Sequence, residues 1–133
     1  MPIYTQRNQV LRAIGSAAPA TLQILVDDCI AGEVAAAQEP DAAAYDAAEF
    51  LEWLRAEFMA TIRTAAQEWI VSVYPLWHQA NVAMGIYPAE VGQAAKDWIA
   101  SVIAESNRCE DLAYAAEGHA GIVAITPNWP EKP

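Results

Sequence analysis

Basic residues are scarce in this sequence. Seven lysines and arginines stand against 17 aspartates and glutamates, which gives a formal net charge of −10. Such a surface repels polyanions, so we expect no direct binding to nucleic acid or to an anionic membrane. Every long apolar stretch is broken by charge, so no membrane-spanning helix is expected. A signal peptide is not expected either, because no basic region followed by an apolar segment opens the chain.

Metal-ligating and nucleophilic residues are also few. The chain has two histidines, His78 and His119, and two cysteines, Cys29 and Cys109. No pair has the short spacing of a zinc site, and no nucleophilic motif is recognisable. The six glycines are scattered, which argues against a phosphate-binding loop. We therefore expect no enzyme, no metal and no cofactor. The cysteines are predicted to be buried thiols, with a disulfide as the alternative.

Alanine and helical spacing are what the sequence has in abundance. Hydrophobic residues make up 55% of the 133 residues, a length that fits one domain. Apolar residues recur every three or four positions, which predicts an all-α single domain of four to five helices. The expected helices are Ile3–Ile14, Thr21–Gln38, a long third helix starting as early as Ala42 with Asp41 as its cap, and a last helix from Pro88 to about Ala116.

The prolines predict where the helices are interrupted. Pro75 removes a backbone donor and clashes with the preceding turn, so the long third helix should kink there, or stop and restart. The β-branched stretch 121–126 predicts a short edge strand or extended chain. Three prolines in the last seven residues predict an extended tail, so we divide the chain into a helical domain, 1–120, and a C-terminal tail, 121–133.

The acidic residues are unevenly distributed. Eight of them, and no basic residue, lie between Asp27 and Glu52. One interpretation is a solvated face that keeps an alanine-rich helical protein in solution. The alternative is a docking face for a basic partner, as in an acidic inhibitor or a nucleic-acid mimic.

The segment around Pro75 combines aromatic and polar side chains. Trp77, Gln79 and Asn81 follow the proline within one expected helix. They predict either the inside of a helical corner or a contact for another chain. Trp77 and Trp129 both lie beside a proline, where an exposed aromatic residue is a suitable interface anchor. The other helical tryptophans, Trp53, Trp69 and Trp98, are expected in the core.

Two motifs resemble a helical module of bacteriophage and prophage tail-fibre-associated proteins. They are YPLWHQANVAMG, residues 74–85, and AKDWIASVIAESNRCED, residues 95–111. The ending NWPEKP is similar to the Trp-Pro endings of tail-fibre assembly proteins. Less than half of the chain is covered, and His78 stands where the family usually has lysine. The matching positions are Pro75, Trp77, Gln79, Asn81, Trp98, Ile99, Val102, Ser106, Asn107 and Glu110.

The resemblance implies a non-enzymatic phage tail protein that binds another tail or tail-fibre protein. It would act as an assembly chaperone or as a small virion component, in the host cytoplasm during assembly or in the virion tail. A homo-oligomer is a further possibility, because the long apolar stripe needs a partner along its whole length. The predicted partner-binding residues are Pro75, Trp77, Gln79, Asn81 and Trp129.

Overall fold

The computed structural model describes residues 3–133, with side chains described from residue 6 onward, and this part of the chain is all-α. It contains six helices and no strand. The predicted all-α class is thus confirmed, with six helices in place of the four to five expected. None of the helices in this range is long and apolar enough to cross a membrane. The helices are α1 (Ile3–Ala13), α2 (Pro19–Ala36), α3 (Ala47–Val73), α4 (Leu76–Ala83), α5 (Ala89–Ala115) and α6 (His119–Val123).

Short-range signals explain where the helices begin and end. Gly15 adopts a left-handed φ of 81° just after α1, a conformation that glycine takes without steric cost. Pro19 occupies the first turn of α2. The side chain of Asp46 caps α3 by accepting hydrogen bonds from the N–H groups of Ala48 and Glu49 at 3.0 and 3.1 Å. The prediction of Asp41 as this cap was wrong, because Asp41 lies in the preceding turn, with a φ of 66°.

The core lies where α1 and α2 meet the first half of α3 and the last turns of α5, with α6 packed against them. Beyond Ile62, α3 and α5 continue side by side, and α4 joins their ends. Contacts between Arg55 and Ala113 and between Tyr74 and Trp98 show that α3 and α5 run antiparallel. The largest fully buried side chains include Val10, Val26, Phe50, Leu54, Ile62, Val102, Cys109 and Ile122.

Pro75 breaks the long helix rather than kinking it. Helix α3 ends at Val73, and Pro75 is the residue before the first turn of α4. Tyr74, which precedes the proline, leaves the helical region with φ −121° and ψ 87°. The Pro75 carbonyl then accepts hydrogen bonds from the N–H groups of His78 and Gln79 at 2.9 and 3.1 Å, and α4 begins. The kinked continuous helix is thus replaced by a corner between two helices.

The expectation of a strand or extended chain from Gly121 was wrong for its first residues. Gly121–Val123 belong to α6, and the predicted domain boundary at 120/121 falls inside this helix. Ile122 and Val123 are buried in the core, so tertiary packing overrides their β-propensity. The chain from 125 to 133 contains neither helix nor strand.

Candidate protein-interaction surface

The corner between α3, α4 and α5 holds the segment that the sequence singled out. Gln79 donates a side-chain hydrogen bond of 2.7 Å to the carbonyl oxygen of Tyr74, which the end of α3 would otherwise leave without a partner. The Asn81 amide nitrogen lies 3.5 Å from the Tyr87 hydroxyl. Both side chains are half-buried, so they hold the corner together from inside.

His78 and its aromatic neighbours attach the corner to α5. The His78 ring stacks on Tyr74 with the centroids 5.1 Å apart, and it meets Tyr87 edge-on at 4.7 Å. Tyr74 in turn contacts Trp98 of α5, with centroids 5.7 Å apart. These contacts fix the direction of α4 relative to α5.

Large apolar side chains project from this corner into solvent. Leu76, Trp77, Met84 and Ile86 are between 61% and 71% exposed, and we call these four residues the α4 surface. Helix α4 contains no buried residue. Groups of large exposed apolar side chains are typical of interaction sites in proteins.

A groove between α3 and α5 adjoins the α4 surface at Leu76. Its volume is about 460 Å³, and we call it the α3–α5 groove. Apolar side chains such as Ile70 and Ile99 line it, and Arg63 pairs with Glu110 at its edge. The Ser106 hydroxyl lies 3.4 Å from the Glu110 carboxylate. Its lining residues are Arg63, Ala66, Gln67, Ile70, Val71, Leu76, Gln79, Ile99, Ile103, Ser106, Asn107 and Glu110.

The groove brings together residues that are distant in the sequence. Gln79 of the first motif lines the groove, and so do four residues of the second motif, Ile99, Ser106, Asn107 and Glu110. Some residues of each of the two motifs behind the tail-fibre resemblance thus line one concave surface.

The predicted partner-binding residues do not all lie on this surface. Pro75, Trp77, Gln79 and Asn81 share the corner, but only Trp77 is exposed, at 65%. Trp129 lies elsewhere, half-buried against the core. Of the tryptophans expected in the core, Trp53, Trp69 and Trp98 are likewise half-buried.

Sequence reasoning missed most of the exposed apolar residues. Leu76 stood inside the quoted segment 74–85, and Ile103 matched the helical stripe of the last helix, which was expected to face a core. Val71 and Ile86 were not singled out. Val71 and Ile103 lie on α3 and α5 where these helices extend beyond α1 and α2. The sequence of α4 contained a signal for this exposure. This helix has only eight residues, and its apolar side chains lie on more than one face, so a single neighbouring helix does not cover them all.

Most of the acidic run has structural partners. Arg7 binds the carboxylate of Glu33 with hydrogen bonds of 2.7 and 2.8 Å, and that of Glu49 at 2.9 and 3.0 Å. The Arg7 guanidinium also lies over the ring of Trp53, 4.7 Å from its centroid. These contacts raise the pKa of Arg7 and lower that of Glu49. One arginine thus connects α1, α2 and α3.

Three more of the eight acids are engaged. Asp46 caps α3, Glu52 pairs with Arg55, and Asp27 lies 3.4 Å from His119. The remaining acids, Asp28, Glu39 and Asp41, form no ion pair within the part of the chain that the structure describes.

Neither cysteine forms a disulfide. Cys29 and Cys109 are free and buried. Burial is the main cause that raises the pKa of Cys29 to about 12 and that of Cys109 to about 11, so both are neutral thiols at physiological pH. Across residues 3–133, no group of three or more histidine, cysteine, aspartate or glutamate side chains is placed to hold a metal ion.

The surface therefore consists of an apolar corner, held by the Gln79 hydrogen bond and the ring contacts of His78, with a groove beside it. No protein-family model, no curated protein and no solved structure matches the chain. The resemblance to tail-fibre-associated proteins stays a prediction made from its motifs.

Proposed function

We propose that this protein acts by binding another protein through the α4 surface and the α3–α5 groove. The observation that carries the proposal is the exposure of Leu76, Trp77, Met84 and Ile86, between 61% and 71%, on one braced corner. Burial of such side chains against a partner is favourable, at roughly 25 cal/mol per Å² of apolar surface removed from water.

The rigidity of the corner favours tight binding. The Gln79 side chain spans the break between α3 and α4, and the stacked rings of His78, Tyr74 and Tyr87 hold α4 in place. A surface that is already ordered loses little conformational entropy when a partner binds. Trp77 presents a large aromatic side chain on this surface, and tryptophan is among the commonest energetic anchors of interfaces.

The tail-fibre resemblance supplies the setting of the proposal. The partner would be a phage tail or tail-fibre protein, and this chain its assembly chaperone or a small virion component beside it. The support is that residues of both resembling motifs line the α3–α5 groove. We further propose that the whole chain acts as one domain with the segment after α6 as its tail. A second copy of the chain is the other protein that could cover the α4 surface.

An acidic inhibitor of a basic partner receives less support. Such a function needs carboxylates that are available to the partner. Glu33, Glu49 and Glu52 already bind an arginine, Asp46 caps a helix, and the Asp27 carboxylate lies 3.4 Å from the His119 ring. The exposed apolar surface therefore favours the first proposal.

A pull-down from cells that express the phage tail genes tests the proposal. The wild-type chain should recover a tail or tail-fibre protein, and Trp77→Ala should recover much less of it. Tyr114→Ala is the matched control, because Tyr114 is an aromatic residue of α5 that is 77% exposed and lies away from the corner. The proposal fails if no tail protein is recovered, or if Trp77→Ala recovers as much as wild type and Tyr114→Ala.

A further inference from the structure

The C-terminal segment is held by side chains of α3 and α5 on a stripe separate from the α3–α5 groove. The indole N–H of Trp69 donates a 2.9 Å hydrogen bond to the carbonyl oxygen of Pro130. The indole N–H of Trp98 donates a 2.7 Å hydrogen bond to the carbonyl oxygen of the next residue, Glu131. One tryptophan on each helix therefore binds one of two consecutive backbone carbonyls.

Two further contacts complete this arrangement. The backbone N–H of Asn128 donates to the Glu105 carboxylate, which also binds Arg108 at 2.7 Å. Glu105 lies two helical turns from Trp98, on the same stripe of α5. At the other end, the Lys132 ammonium lies 4.4 Å from the centroid of the Trp69 ring, within cation–π range.

This set of contacts suits a proline-containing peptide. Proline has no N–H and a fixed φ, so a segment such as Pro127–Pro133 offers carbonyl acceptors and loses little entropy when it binds. An indole N–H can only donate, so two tryptophans recognise acceptors. Aromatic surfaces that donate to the backbone of proline-rich segments are a recurrent mode of peptide recognition.

The contacts are also of a reversible kind. They consist of hydrogen bonds to backbone, one cation–π contact and the packing of the half-buried Trp129. A second copy of the chain offers the same segment, and exchange of identical elements reforms every contact.

We propose that Trp69, Trp98 and Glu105 form a binding site for a proline-containing peptide. Residues 127–133 occupy this site as a reversible ligand, and residues 127–133 of a second copy of the chain can replace them. This proposal does not depend on the α4 surface. It uses different residues, and its test needs no phage partner.

Nuclear magnetic resonance of the full-length chain tests the site. In the ¹⁵N-labelled variant Asn128→Pro with Trp129→Ala, the indole signals of Trp69 and Trp98 should move away from their wild-type positions because the segment loosens. Unlabelled peptide PNWPEKP should return them when added to about 1 mM, the order of effective concentration that a short tether provides. The indole signal of Trp77 is the internal control and should not move.

Site variants and a second copy complete the test. On the same background, Trp69→Phe keeps the ring but removes the donor, and should weaken the peptide response of Trp98 by up to about tenfold, as expected for one lost hydrogen bond. Unlabelled full-length wild-type chain should produce the same return of signals as the peptide. A response to the peptide without any response to the wild-type chain would overturn the exchange between copies.

Two results would overturn the binding site itself. The first is that the indole signals are identical in the variant and in wild type. The second is that the indole signals do not change when peptide is added, although the variant remains helical by circular dichroism. If the variant does not fold, the labelled wild-type chain decides. Excess peptide should then shift the amide signals of Glu131 and Lys132 while both indole signals stay in place, and unchanged amide signals would refute reversible binding.

Discussion

Replacing Arg7 by methionine should destabilise the protein by about 3–5 kcal/mol. The Glu33 side chain is only 8% exposed, and Arg7, itself 18% exposed, is the cation that binds it. Without Arg7, the Glu33 carboxylate stays buried, and of the polar contacts described only the Cys29 thiol remains, 3.4 Å away. An uncompensated buried charge of this kind is among the costliest single changes in a fold.

Two companion variants separate the buried pair from the exposed one. Glu49 is 55% exposed, so Glu49→Gln should cost no more than about 1 kcal/mol. The double variant Arg7→Met with Glu33→Leu should recover most of the stability lost by Arg7→Met, because neither charge is then left buried without a partner. All four proteins should retain the same helical content.

Urea unfolding at pH 7, followed by far-ultraviolet circular dichroism, measures these differences as shifts in the midpoint at constant slope. A loss below about 1 kcal/mol for Arg7→Met would refute the reasoning, because ion pairs that cost so little are typical of exposed surfaces. A double variant as unstable as the single one would refute it as well. Either result would support the alternative that the acidic residues between Asp27 and Glu52 form a surface for a basic partner.

Three further predictions follow from the described contacts. Arg108, and then the Asn128 N–H, lower the pKa of Glu105 to about 2, so this carboxylate stabilises the folded chain above its unfolded pKa of about 4.3. That contribution should disappear as the pH falls from about 4.3 to about 2, and the protection of the Asn128 amide, relative to its intrinsic exchange rate at each pH, should fall over the same range. Both cysteines should resist a thiol reagent at pH 8 until urea unfolds the chain, and labelling of the native protein would contradict their burial. Leu54→Ala, at a site 1% exposed, should cost about 2–5 kcal/mol. Leu76→Ala, at a site 71% exposed, should change the unfolding free energy by no more than about 0.5 kcal/mol, and equal losses would contradict the assigned core.

Helical periodicity was sufficient to predict the all-α class. The ends of α1, α2 and α5 fall within three residues of the predicted ones, because proline and glycine there act through local backbone geometry. The start of α3 was misplaced because both Asp41 and Asp46 are plausible caps, and the choice depends on how the preceding turn folds. Helix α6 was missed because Ile122 and Val123 favour strands locally, and only the core they pack into makes them helical.

The candidate surface was predictable in part. The motif around Pro75 directed attention to the corner that carries the exposed apolar side chains, and Trp77 is exposed there. The inside of a helical corner was one of the two predicted roles of Gln79 and Asn81, but their partners, Tyr74 and Tyr87, were not predictable, because they depend on how the helix breaks. Trp129 was assigned to a partner, whereas it packs on the protein's own core. Periodicity shows which residues share a face, but it does not show whether another element covers that face.

The salt dependence of partner binding tests the central claim most directly. Between about 0.1 M and about 1 M salt, the Debye length falls from about 10 Å to about 3 Å, which screens contacts between exposed charges. If the α4 surface carries the interaction, the affinity of the chain for the proposed tail or tail-fibre partner should change by no more than about threefold over this range. A steep loss of affinity, about a hundredfold or more, would contradict the account and would assign binding to the acidic residues instead.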